Sequence, residues 1–599
     1  MNSSKFNFSS KLIIIKVVLT GLIIISYQLI GQNNRSWVEK SNENTQVLLK
    51  VFGEFYPETA GHLGVEGIDE KITDLSPRFV ERRIQQTEYS RDELTARLEN
   101  ENDNAVRQDL EILIKSAEES LEETALNEKY LLPYLNISKT VYDGIRNLLD
   151  EQVAEERRKS ALVRLKKYVG KSEGFEPITQ LAENYTRTEF KKGERLGPYK
   201  GEVTRDLENS PKFIDEIGQL FEKFKIKGYE SNYELLKKQM IDYNRFLETE
   251  VLPRTRENFR LPKDLYEFQL KSYGVDMPVD ELERRAKVSF KELQNEMQSL
   301  AIQIAQKRGY SSEDYRDVLR ELKKEQIAGE DILPLYNQRI KNLEDIIMKE
   351  EIVTLPEREM KIRLASEAES AYLPAPFMRP PRMIGNTGEL GEFVLPLKAP
   401  GSGGQADLKL DDFTHDAASW PLAVHEGRPG HEMQFASMVE KGVSVTRALF
   451  AMNSVNVEGW ALYMEEEMKC YLPIEGQFTT LWSRLIRAGR AFLDPGLNIG
   501  NFTKEEALRL LKEEIVLSEA MANSELDRYT FRAPGQATSY FCGYLRLMEM
   551  RAEFELLLGE KFNRKNYHDY ILSQGSLPPA MLRKAIMEEF VPVAKEPKS

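Results

Sequence analysis

The sequence predicts a mainly α-helical, globular protein, and three observations predict it. Hydrophobic residues make up 41% and charged residues 30% of the 599, the balance of a chain built from amphipathic helices. Long stretches repeat apolar residues at three-, four- and seven-residue steps, the mark of one buried helix face. The 25 Tyr and 27 Phe are more aromatic residues than a disordered chain carries.

The elements follow in order. Lys5, Lys11 and Lys16 precede an apolar run from Val17 to Ile25, and Ser26, Gln28 and Gly31 follow it. A basic start, a short apolar run and a small-residue exit read as a secretory signal peptide over residues 1–31. The run falls short of the roughly 20 apolar residues a membrane span needs; an uncleaved N-terminal anchor is the other reading. No cysteine lies near its end, which argues against a lipid-attached one. Nothing further along reads as a membrane span, so stable insertion after signal removal is not expected. The expected location is periplasmic or extracellular.

An N-terminal helical region is expected over 32–203, with charged, periodic stretches at 79–130 and 140–168. Their charge reads as a solvated face. Segment 168–203 is rich in Gly, Lys and Glu and reads as a loop or subdomain boundary. A central helical region is expected over 204–370. Within it Pro278, Asp280 and Glu281 look like a helix start. Leu282, Ala286, Leu293, Met297, Leu300 and Ile304 then form one apolar face, and Gly309 supplies a stop. The remaining region, 371–599, opens with Pro374, Pro376, Pro380 and Pro381, which break helix. A short strand is expected at Glu392–Leu395 and a mobile glycine-rich loop at Gly401–Gly404. Helical patterns resume from Asp416 to about Phe590.

The net charge of −14 argues against nucleic acid as the main partner, because phosphate binding needs a basic surface. Cys470 and Cys542 are the only cysteines. They form no Cys-x-x-Cys pair and read as two thiols, or as one bridge if the chain is exported. The oligomeric state is left open.

The chemistry concentrates in one place. Of five histidines, His415, His425 and His431 fall within seventeen positions, while His62 and His568 read as structural. A zinc peptidase needs three protein ligands, an open position for water, and a carboxylate to move the water's proton. The common solution is His-Glu-x-x-His on a helix. Here His425-Glu426 is followed by His431, six residues on, and Pro429 stands where the second His would be. Residues six apart do not share a helix face. The pair is coherent only if the helix breaks at Pro429-Gly430. A third ligand is expected from Glu458, 27 residues after His431, and Glu465, two turns on, would orient a metal-bound His. His415 is a reserve ligand or a capping residue. Trp460, Leu462 and Tyr463 read as core.

At these residues the chain resembles the bacterial family catalogued as domain of unknown function 885 (DUF885), which is grouped with zincin-type metallopeptidases. The resemblance rests on His425-Glu426-Gly427-Arg428-Pro429-Gly430-His431, on Glu458-Gly459-Trp460-Ala461-Leu462-Tyr463, and on Pro534-Gly535-Gln536-Ala537-Thr538-Ser539-Tyr540. Many relatives carry a second His where this chain has Glu432, expected to lie behind the ligands or at the surface. The resemblance implies an oligopeptidase-like zincin architecture, long helices around a deep cleft with a small β element near the site. It implies a zinc peptidase acting on oligopeptides: zinc on His425, His431 and Glu458, with Glu426 as general base and acid. Tyr540 would stabilise the oxyanion, and Tyr544, one turn on, could share that role; each could equally be a core tyrosine. Arg528 and Arg532 are candidates for a substrate carboxylate if C-termini are trimmed, or for structural ion pairs. A strand edge at 392–395 could hold the peptide backbone, gated by Gly401–Gly404. A metal-dependent hydrolase of a non-peptide amide or ester, and an exported binding protein with a dead site, are the alternatives.

Overall fold

Helices form where apolar spacing demands them, and their packing positions the histidine motif. A computed structural model describes residues 37–399 and 408–596. The expected signal peptide and the glycine loop Gly401–Gly404 lie outside the described residues. The chain is mainly α with a small sheet, as the sequence predicts.

Helices α1 (Phe79–Glu99) and α2 (Asn104–Tyr130) pack as a pair, and α3 (Lys200–Lys223) belongs to an apolar cluster running from Leu75 to Val251. Helix α4 (Val279–Arg308) matches its expected face. Leu282, Ala286, Leu293, Met297 and Ile304 are buried, and Gly309 closes it in the left-handed region at φ 71°. Each of the leucine, methionine and isoleucine side chains contributes about 1.5–3 kcal/mol by leaving water, so packing rather than propensity holds this helix. Helix α5 (Ile332–Lys349) leads into three strands, β1 (Lys361–Leu364), β2 (Phe377–Arg379) and β3 (Glu392–Leu395). Then come α6 (Asp416–Leu422), α7 (His431–Lys441), α8 (Ser454–Lys469), α9 (Ile474–Asn498) and α10 (Thr538–Leu558). Helix α9 packs on α4, and α8 packs on α10.

Several expectations are corrected. Segment 168–203 is not a loop: Ile178–Glu189 is a helix with Ile178, Ala182 and Thr186 buried. Its apolar spacing is helical, and only its Gly- and Lys-rich flanks disguise it. The strand at Glu392–Leu395 is present, but it is central. β1 pairs with it in parallel and β2 in antiparallel, and all four of its residues are buried. It has no free edge to offer a peptide. Its leading Glu392 suggests exposure, yet Arg363 (2.8 Å) and Lys361 (3.1 Å) neutralise it inside the fold. The unpaired edges belong to β1 and β2. Cys470 is exposed, Cys542 is buried, and they are not joined. Among the described residues no helix is long and apolar enough to cross a membrane.

Candidate metal centre

The path of the chain through the motif explains its unusual spacing. Helix α6 runs into a wide π turn at Ala423–Gly427, breaks, and restarts as α7 at His431. Pro429 lacks the N–H that would continue the helix. Gly430 lies so close to the end of the turn that a Cβ there would stand 2.0 Å from the His425 carbonyl oxygen and 2.2 Å from that of Val424. The break is braced from outside. Trp460 Nε1 donates to the Pro429 carbonyl at 3.0 Å, so this residue is core with one directed bond. Arg428 donates to Glu432 (2.8 Å), Glu344 (2.6 Å) and the Arg358 carbonyl (2.6 Å). Glu432 is therefore buried behind the ligands, not at the surface. The outcome is that His425 and His431 meet at right angles, with ring centroids 4.6 Å apart.

Glu458 arrives from α8, whose start is capped by Asn453 and tied to α7 by Gln434 donating to Asn456 at 2.8 Å. Its Oε2 lies 3.4 Å from His425 Nε2 and 3.3 Å from His431 Nε2. All three candidate ligand atoms lie within 4.8 Å of one another. Glu465, one face with Glu458, meets His425 Nδ1 at 2.7 Å, which turns Nε2 toward the centre. The donors fit zinc. Two ligands about 2.1 Å from a tetrahedral ion stand about 3.4 Å apart, and a buried carboxylate oxygen with no hydrogen bond, as Glu458 Oε2 is, calls for a cation. Burial opposes ionisation of Glu458, but the two histidines facing its carboxylate hold it well below the usual range. Glu426 lies in the same cavity. Burial, with Glu458 and Glu465 nearby, pushes it up to about 7 against the pull of His431. His415 is not part of the centre. It begins α6, fully buried, with neither ring nitrogen hydrogen-bonded, and caps nothing. His62 packs against Arg379, and His568 bonds Tyr463 and the Ile352 carbonyl, both away from the centre.

Helix α10 brings the third motif. Gly459 and Gly543 touch backbone to backbone: a Cβ on Gly459 would stand 2.6 Å from the Gly543 carbonyl carbon. Gly535, at φ 89°, donates its N–H to both Asp494 oxygens (2.9 and 3.0 Å), and Gln536 donates to Ser454 at 3.0 Å. These contacts fix Tyr540, whose ring lies nearly parallel to His425 with centroids 6.5 Å apart. Its hydroxyl accepts from Arg528 at 3.2 Å.

A cavity of about 570 Å³ joins these groups. Its walls include Phe377 and Met378 of β2, Phe435, Trp482 and Ile486, with His425, Glu426, His431, Glu458, Tyr540, Arg528 and Arg532. Tyr544 does not line it. That residue packs with Leu462 and Tyr540 beneath the Arg484 guanidinium, because α10 carries it away from the centre. Arg532 is committed to the Ser524 hydroxyl (2.8 Å) and the Tyr372 carbonyl (3.2 Å). Two arginines of α9, Arg487 and Arg490, also line the cavity. Sequence reasoning missed them, since no motif marks these arginines as facing a cavity. Their one signal was the mostly apolar company they keep on α9.

The family model described as "Bacterial protein of unknown function (DUF885)" matches residues 57–586. A comparison with curated proteins finds no match. Two solved structures share the fold. One, described as a candidate lipoprotein of unknown function from Shewanella oneidensis, is 19% identical with a TM-score of 0.65, over 92% of this chain and 100% of that one. The other, described as a candidate lipoprotein from Colwellia psychrerythraea, is 17% identical with a TM-score of 0.71, over 92% of this chain and 98% of that one.

Proposed function

The chain belongs to the DUF885 family, and from that premise we propose that it is an exported zinc-dependent peptidase acting on oligopeptides. The observation that carries the reading is the meeting of His425, His431 and Glu458 at ligand spacing, with Glu426 beside them in one cavity. When bound, zinc supplies a Lewis acid that polarises the scissile carbonyl and makes a water acidic. Glu426 takes a proton from the attacking water and passes it to the leaving amine. The Tyr540 hydroxyl donates to the oxyanion that develops on the scissile carbonyl. Glu465 holds His425 in the tautomer that leaves Nε2 free. The unpaired edge of β2, whose Phe377 and Met378 line the cavity, offers the backbone hydrogen bonds that align an extended peptide. A cavity of about 570 Å³ holds a few residues and not a folded protein. Export rests on the N-terminal signal pattern.

The test is hydrolysis of mixed oligopeptides by the purified, zinc-loaded protein. The expected result is chelator-sensitive cleavage that Glu426→Gln lowers by about 10²–10⁴-fold while zinc is retained. Undiminished cleavage by that variant would overturn the reading. Cleavage of esters or non-peptide amides alone would move it to a different hydrolase.

A further inference from the structure

Three arginines stand at three-residue steps on α9, and two of them have carboxylates. Arg484 pairs with Glu466, and Arg490 makes a bidentate pair with Glu525 at 2.8 and 2.7 Å. The middle one does not. Arg487 donates only from Nη1, to the Ser483 hydroxyl (2.7 Å) and carbonyl (3.3 Å) one turn back. Its Nε is shut off from solvent with no partner, and among the described residues no carboxylate lies within ion-pair distance of it. The guanidinium sits in the wall of the metal-centre cavity, 5.8 Å from the centroid of the Tyr540 ring. The acids sharing that cavity are the candidate ligand Glu458, its supports and Asp412, which is held by Lys323.

Desolvating a guanidinium without a counter-ion is costly, and a carboxylate that completes a bidentate pair offsets the cost. An arginine left open inside a binding cavity is therefore built for an anion that arrives with the ligand. Arg490, one turn on in the same cavity wall, is already taken by Glu525. The anion that every free-ended peptide carries, whatever its sequence, is its C-terminal carboxylate, whose two oxygens match the guanidinium fork.

We propose that Arg487 binds the free C-terminal carboxylate of the peptide, so that the enzyme removes residues from C-terminal ends. The proposal rests on the peptidase reading for the reaction but not for the binding. Arg528, bonded to Tyr540, flanks the same pocket, whereas Arg532 is committed elsewhere.

The test is calorimetric titration of the purified full chain with three probes: N-acetyl-Leu-Ala, its C-terminal amide, and N-acetyl-Glu-Ala amide, which carries only a side-chain carboxylate. The expected result is that the free acid binds at least tenfold more tightly than either amide. In Arg487→Met, checked for an unchanged unfolding midpoint, acid and amide bind alike. Arg487→Lys keeps the charge without the fork and is expected to retain part of the preference. Equal binding of acid and amide by the parent protein overturns the proposal without a mutant. A preference that survives in Arg487→Met assigns the carboxylate to the metal and also overturns it. Tightest binding of the side-chain acid replaces the chain end with an acidic residue. None of these outcomes depends on turnover, so failed cleavage and failed anchoring are separable.

Discussion

Glu465 and Glu426 flank the candidate ligands, and their removal should have opposite signatures. Glu465→Gln takes the negative charge off the acceptor that meets His425 Nδ1 at 2.7 Å. Zinc affinity should fall about 10–100-fold, with activity recovered at saturating zinc. Glu426→Gln should keep zinc and lose turnover. Competition with a chromophoric chelator measures the first, and equal zinc affinity in Glu465→Gln and the parent would exclude the orienting role. At this scale the motif residues were legible, because His, Glu and their spacing carry chemistry of their own. Arg487 was not, because an arginine in a helix looks the same whether its face meets water or a cavity. Glu432 was left between two readings for the same reason: only the fold shows the Arg428 partner that holds it behind the ligands.

The helix break is the element on which the centre depends. Gly430→Ala sets a methyl group 2.0 Å from a backbone carbonyl, which cannot rotate away. The variant should lose zinc binding and more than about 2 kcal/mol of stability, read by denaturant unfolding beside metal analysis. Trp460→Phe removes a single bond to Pro429 and should cost about 1 kcal/mol, with zinc retained. A Gly430→Ala protein with parental zinc content would remove the break from the account. The need for a break was legible from Pro429-Gly430, and α4 was legible from its buried face. The strand at 392–395 was legible as a strand but not as a central one. Pairing is a relation between distant segments, and an acidic first residue hid it.

Across the whole molecule, buried neutral histidines set a pH limit. Burial lowers His415 to about 4 and His568 to about 3, below the value of about 6.5 in an unfolded chain. The unfolded chain then binds protons that the fold refuses. The contribution is complete above pH 6.5 and is lost as pH falls toward 4. Two such groups give a slope of up to about 3 kcal/mol per pH unit. Unfolding of the parent and of His415→Leu in chelator at pH 7 and pH 5 should show the parent losing more on acidification than the variant, and equal changes in the two would contradict it. Helical class was legible at this scale, but the helix within 168–203 was not. Charge and glycine content mark the surface of α3 and its neighbours, not the cluster from Leu75 to Val251 that runs beneath them.

The central claim is that His425, His431 and Glu458 hold one metal ion. Elemental analysis of the purified full chain, with Glu458→Ala beside it, tests this most directly. One zinc per chain in the parent and none in the variant is the predicted result. No divalent metal in the parent after incubation with zinc, or undiminished zinc in Glu458→Ala, would contradict it.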